Sequence, residues 1–144
     1  MTIPALSLQT AIFFLTLWMG FYLLQRNPNK PQLVLAGWGL LAYAAALAAV
    51  MLNSQAPDSL QLLFNNVANA FIYLPALLWA GALLYLIPEE ADGRGLARGW
   101  SYSLLPVGLV LLLSKLLTGF TAPWLTALAV LLPLVAAFLI LANA

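Results

Sequence analysis

The stretch LQLLFNNVANAFIYLPALLWAGALLYLI, residues 60–87, combines a long apolar run with three asparagines near its beginning. As an α-helix it would be about 42 Å long at about 1.5 Å per residue, which exceeds a bilayer hydrocarbon core of about 30 Å. Two glutamates follow its end, so we expect the hydrocarbon to cover about residues 68–87. Asn65 and Asn66 then lie among the outer headgroups, and Asn69 lies at their inner edge.

The rest of the chain is similarly apolar. It has 144 residues, of which 65% are hydrophobic and 6% are charged, whereas roughly a quarter of the residues of a soluble domain are charged. Short polar connections divide it into five apolar segments, at 6–24, 32–52, 60–87, 99–117 and 123–142. Each is near the length of about 20 residues that crosses a membrane. The sequence therefore predicts an all-α integral membrane bundle of five transmembrane helices, which forms a single domain over the whole chain.

The basic residues predict the orientation of this bundle. Arg26 and Lys30 lie in the first connection, and Arg94 and Arg98 lie in the third. Because Lys and Arg near span ends mark the cytoplasmic side, we expect the N-terminus outside and the C-terminus in the cytoplasm, in a multi-pass protein of the cell membrane. Lys115, near the outer end of the fourth segment, is the exception, and we expect its ammonium to snorkel to the headgroups.

Composition excludes several kinds of chemistry. The chain has no Cys and no His, which removes thiolate nucleophiles, imidazole bases and the usual zinc, copper and haem ligands. Glu89 and Glu90 are adjacent, so on a helix they point in different directions and make a poor acid/base pair. The net charge of +1 is too small to suggest nucleic acid as a partner. We therefore expect no enzyme activity, no catalytic residue, no metal and no cofactor.

The positions of the charged residues also indicate whether the protein could be an ion-coupled transporter. No Asp, Glu or Arg lies inside an apolar segment, and coupling to protons or Na⁺ normally needs such a group or a broken helix lined with carbonyls. The sequence therefore disfavours an ion-coupled transporter. It equally disfavours a membrane-embedded transferase, because no credible general base is present.

Polar side chains in the third segment form the candidate binding site. Gln61, Asn65, Asn69 and Tyr73 are spaced by four residues, so on an α-helix they form one slowly turning polar ridge. These amides could hydrogen-bond to neighbouring helices or interfacial water. Alternatively, Asn65, Asn69 and Tyr73 bind a small ligand in a pocket that opens outward. Fraying of the helix at the outer surface is a third explanation.

Three prolines lie inside predicted spans. Pro75, Pro106 and Pro133 each remove one backbone donor and free the carbonyl four residues earlier, which predicts kinks. Such kinks are hinge candidates, although static packing kinks are a competing interpretation. In the second segment, alanines at small-xxx-small spacing predict that this helix packs at the centre of the bundle; they are Ala42, Ala46, Ala45 and Ala49, with Gly39 alongside.

Two stretches carry a family resemblance. LLQRNPNKPQLVLAGWGLLAYA, residues 23–44, and LPALLWAGALLYLIPEE, residues 74–90, resemble the N-terminal multi-span membrane sensor region of bacterial histidine kinases and cyclases, over about residues 10–90. The resemblance implies an outside N-terminus and a sensory role. That family typically has seven spans and a cytoplasmic enzyme domain, so five spans imply a detached input module or a partner of a separate output protein. No catalytic residue carries over.

The five-span architecture is also similar to the tryptophan-rich small-molecule-binding sensory proteins of bacterial membranes, although their clustered Trp-Pro signature is absent. We therefore expect a non-enzymatic, ligand-responsive membrane module of a bacterial signalling system. The alternative is a small structural or accessory subunit of a larger membrane protein complex. In either case the expected partners are membrane lipids and other membrane protein subunits or an output protein.

Overall fold

A computed structural model describes residues 2–90, 93–118 and 123–142, and it describes the side chains of only part of the last range. Within these ranges the chain is all-helical and has no strand. The helices are α1 (Ile3–Arg26), α2 (Pro31–Asn53), α3 (Asp58–Leu84), α4 (Arg94–Gly99), α5 (Leu105–Thr118) and α6 (Pro123–Ala142). A π-helical segment, Trp100–Leu104, joins α4 to α5.

Four helical stretches among the described residues are long and apolar enough to cross a membrane. They are α1, α2, α3 and the continuous stretch Arg94–Thr118 that runs from α4 through α5. They confirm the helical character of the first four predicted segments, and α6 has the bounds of the fifth. The prediction of an all-α helical bundle is therefore confirmed at this level.

The boundary between α3 and α4 differs from the sequence prediction. The third helix ends at Leu84 rather than at residue 87, and the connection predicted before residue 99 already contains α4. Amides of Leu86 and Ile87 bond to carbonyls only three residues earlier, which tightens the chain into a turn. Pro88 follows at once, and a proline disfavours helical conformation in the residue before it.

The centre of the bundle is α3, which packs against α2, α5 and α6, whereas α2 lies between α1 and α3. The prediction that the second helix is central is therefore wrong, although its small residues do pack closely. Ala42, Ala46 and Ala49 are buried, as is Gly39, and Ala45 is partly exposed. Small side chains allow close helix approach but do not set how many neighbours a helix has.

Glycine allows the closest approach of α1 to α2. A Cβ atom at Gly37 would lie 3.0 Å from the carbonyl oxygen of Gly20, and one at Gly20 would lie 3.2 Å from the carbonyl oxygen of Gly37. Both positions are buried. Any side chain there would push the two backbones apart, so these glycines fix the spacing of the helix pair.

At the end of α3 a compact apolar core joins three helices to the following turn. Its buried members are Ala80, Leu84, Ile87, Ala97, Trp100 and Ala136. These residues come from α3, its terminal turn, α4, the π-helical segment and α6. This core therefore holds the start of the fourth apolar stretch against the end of the third.

Candidate functional site

The polar ridge of α3 contains two asparagines that differ from Gln61 in their hydrogen bonding. Asn65 is exposed and Asn69 is half-buried, and within the described part of the chain neither side chain has a hydrogen-bond partner. Gln61 differs, because its amide donates to the Ala56 carbonyl at 3.2 Å and to the Asp58 carboxylate at 3.3 Å. Hydrogen bonding to neighbouring helices is thus not observed for the ridge asparagines.

The ridge leads along α3 to a buried cation. Tyr73 is half-buried, and the Lys115 ammonium of α5 lies over its ring, 4.5 Å from the ring centroid. Lys115 is only 4% exposed. The prediction that this ammonium snorkels outward is therefore wrong, because it turns toward an aromatic face on the neighbouring helix, which attracts cations. We call Asn65, Asn69, Tyr73 and Lys115 the α3–α5 site.

A second polar cluster lies where α3 ends. The Arg94 guanidinium donates to the carbonyls of Ile87 at 2.8 Å and Tyr85 at 3.0 Å, and it lies over the Tyr85 ring at 5.0 Å from the centroid. It also lies 3.8 Å from the exposed carboxylate of Glu89. Carbonyls just past the end of a helix lack intrahelical partners. Arg94 therefore serves as the C-terminal cap of α3.

Trp100 anchors the π-helical segment against α3. Its side chain is 3% exposed, and its ring packs edge-on to Tyr85, with centroids 6.4 Å apart. The ring lies directly on Gly81, where a Cβ atom would collide with it. Its indole nitrogen is buried and has no hydrogen-bond partner among the described residues. This packing leaves Trp100 inside the core at the end of α3.

Between α3 and α4 lies a polar cleft of about 490 Å³. It is lined by Tyr85, Glu89, Arg94, Arg98, Ser101 and Tyr102. Two arginines line the cleft. Arg94 is bonded to carbonyls at the end of α3 and lies near the Glu89 carboxylate. Arg98 forms no ion pair with a described carboxylate. The cleft is therefore lined by hydrogen-bonding side chains, of which Arg94 is already bonded to the backbone.

The three proline hinge candidates have different surroundings in the structure. Pro75 is fully buried inside an uninterrupted α3, and Pro133 lies inside α6, where its side chain is outside the described set. Pro106 lies two residues after the end of the π-helical segment, and the amide of Leu105 bonds to the Trp100 carbonyl five residues earlier. A π turn is one way that a helix accommodates a proline. Hinge motion at these sites remains a prediction.

The sequence analysis did not predict the contacts that Arg94 and Lys115 make. The sequence predicts Arg94 only as a basic residue of the third connection, and it predicts that the Lys115 ammonium snorkels to the headgroups. One feature of the sequence distinguishes Lys115: it is the only charged residue between Arg98 and residue 144. Nothing in the sequence marked Arg94, because its role depends on where the carbonyls of α3 lie.

The α3–α5 site is made of amide, aromatic and ammonium groups. Among the described residues no group of three or more His, Cys, Asp or Glu side chains could hold a metal ion. The side chains of the α3–α5 site supply amide donors and acceptors, an aromatic face and one positive charge. Comparison of the chain with protein-family models, with curated proteins and with solved structures finds no match.

Proposed function

We propose that this protein is a non-enzymatic, ligand-responsive sensory module of a bacterial cytoplasmic membrane. The observation that carries the proposal is the α3–α5 site, where amides with free hydrogen-bonding groups lead to a buried ammonium on the Tyr73 ring. An ionisable group buried among membrane helices is a functional-site hypothesis by default. No described carboxylate accompanies it, so the arrangement favours binding over acid/base catalysis.

The surface of the described helices supports membrane insertion. Large apolar side chains are exposed along α1 and α5, among them Phe14, Trp18, Val110 and Leu117, each more than half exposed. A soluble monomer rarely exposes contiguous apolar patches larger than a few hundred Å². In lipid the same side chains meet an apolar solvent, so their exposure costs nothing.

The proposal includes five spans, with α6 as the fifth. This helix has 20 residues and no charged side chain. The positive-inside rule then puts the connections at residues 27–30 and 85–93 in the cytoplasm. Asn65 would lie at the outer headgroups, with Tyr73 about two turns deeper, so the polar ridge would open to the outside.

A structural subunit of a larger membrane complex is the second candidate. It is favoured by an apolar groove of about 490 Å³ between α2, α3 and α5, lined by Trp38, Phe71, Leu74 and Leu109 among others. A partner helix would fit such a groove as well as a lipid chain would. In that case the ridge amides would bond to partner side chains.

Native mass spectrometry of the protein released gently from its own membrane separates these candidates. We expect a monomer or homodimer that carries a small bound molecule. The combined variant Asn65→Ala, Asn69→Ala and Tyr73→Phe should lose that molecule, because it removes the polar groups but keeps the ring.

The matched control is Asn66→Ala. Asn66 is the same residue type on the same helix, but it points about 100° away from Asn65 around the helix axis. The control should keep the bound molecule. A defined larger assembly with stoichiometric protein partners would instead identify the chain as a packing subunit.

A further inference from the structure

The buried ammonium of Lys115 has no described carboxylate at its own level of the bundle. Within the described residues the ion pair is Arg94 with Glu89, at the far end of α3. Asp58 begins α3, about 22 Å along the axis from Tyr73 at about 1.5 Å per residue. Glu89 and Glu90 follow the other end of that helix, which lies about 16 Å from Tyr73. The described chain cannot bring either group to Lys115.

The described residues compensate the positive charge of Lys115 only in part. The Tyr73 ring offers a cation–π contact, and Lys115 lies in the last turn of α5, where the helix dipole favours a cation. Neither is a full negative charge. Buried charges in proteins are normally paired or coordinated, so a counter-ion from outside the described residues is expected.

The exposure of the polar ridge provides a route for such an ion. Asn65 is exposed, Asn69 and Tyr73 are half-buried and Lys115 is buried, so polar groups continue from the surface to the cation. Amide N–H groups of asparagine donate hydrogen bonds to oxyanions, and a lysine ammonium strengthens such a site as a point charge.

We propose that the α3–α5 site binds an oxyanion, a carboxylate or a phosphate, against the Lys115 ammonium, with Asn69 donating a second hydrogen bond. The inference rests on the proposed function and names the class of its ligand. The oxyanion is either a small soluble carboxylate or the phosphate of an anionic lipid. Both present the same chemistry to Lys115.

Thermal unfolding of the purified protein in phosphatidylcholine nanodiscs tests the soluble source. Sodium acetate is titrated against sodium chloride of equal ionic strength. We expect acetate to raise the melting temperature saturably for the wild type, and Lys115→Met to bind acetate at least about tenfold more weakly, as for the loss of a charged hydrogen bond. Lys30→Met is the matched control, since it removes an exposed lysine and changes the net charge equally.

The lipid source is tested with phosphatidylglycerol added to the nanodiscs. If lipid phosphate occupies the site, native mass spectra should retain phosphatidylglycerol on the wild type and on Lys30→Met but lose it from Lys115→Met. The variant Lys115→Arg, which keeps the charge, should retain most of the response to whichever oxyanion binds.

Equal responses of the wild type and Lys115→Met to acetate and to phosphatidylglycerol would overturn the inference. So would a protein partner that co-purifies with the wild type and is lost from Lys115→Met, because its carboxylate would then be the counter-ion. A neutral bound molecule that depends on Asn69 but not on Lys115 would leave the proposed function standing while this inference failed.

Discussion

At the residue scale, the polar side chains of this protein are few, and their positions matter more than their number. Lys115 and Arg94 are both basic and both contact a tyrosine ring of α3 or its terminal turn. Arg94 is bonded to backbone carbonyls, which identifies a structural role. Lys115 has an aromatic contact but no described carboxylate, and this difference is the basis of the proposed oxyanion site.

Arg94 should be needed for stability. Arg94→Met removes the donors to the carbonyls of Tyr85 and Ile87, and we expect it to lower the free energy of unfolding by about 1–3 kcal/mol, the usual cost of unsatisfied buried polar groups. Reversible unfolding in detergent measures this difference in the free energy of unfolding. Arg98→Met changes the net charge equally from an exposed position of the same helix, and it should cost less than about 0.5 kcal/mol. Equal losses would contradict the capping role.

At the element scale, glycines and prolines decide how the helices meet. Gly37 and Gly20 set the spacing of α1 and α2, and Gly81 receives the Trp100 ring. The π-helical segment before Pro106 rotates α4 relative to α5, because each residue is turned by a different angle in a π turn than in an α turn. Local backbone chemistry thus places the Trp100 side chain on α3.

Gly81→Ala should loosen the contact between α3 and the π-helical segment. Its Cβ atom would collide with the Trp100 ring, and overpacking of this kind typically costs about 1–3 kcal/mol. We expect a lower melting temperature and a red-shifted tryptophan emission as water reaches the ring. Gly95→Ala is the control, because no atom lies within 4 Å of its added Cβ.

In the control, alanine replaces glycine inside α4, which favours the helix by up to about 1 kcal/mol. A melting temperature equal to or above that of the wild type is therefore expected for Gly95→Ala. If Gly81→Ala behaved in the same way, the observed packing of Trp100 on α3 would be wrong.

At the scale of the whole molecule, α3 is central, because α2, α5 and α6 pack against it, whereas α1 packs on α2. The exposed apolar surface of α1 and α5 is large, which is consistent with the proposed insertion of the bundle in a membrane. The proposed orientation follows from four basic residues at one end, Arg26, Lys30, Arg94 and Arg98.

Because the chain contains no cysteine, single introduced cysteines test this orientation. In intact spheroplasts, a membrane-impermeant maleimide should label Gln55→Cys, in the connection between α2 and α3. It should label Asn29→Cys, between α1 and α2, only after the membrane is permeabilised. Both positions are exposed. The reverse pattern would invert the proposed topology and place the polar ridge at the cytoplasmic face.

Composition and hydropathy by themselves determined the all-helical class and the approximate bounds of the apolar segments, because the length of an apolar run depends only on local sequence. They also determined the polar ridge on α3, since spacing by four places side chains on one face of any helix. The candidate residues Asn65, Asn69 and Tyr73 follow from that periodicity, and their role as a binding site stays a prediction.

Only the tertiary structure decided which helix is central, where Lys115 lies and what Arg94 does. Apolar helices carry similar faces, so the sequence does not determine which neighbours each one contacts. The contact of Lys115 with Tyr73 joins residues 42 positions apart on two helices, and Arg94 finds its carbonyls through the turn that ends α3. These placements depend on the packing of whole helices, which local periodicity does not specify.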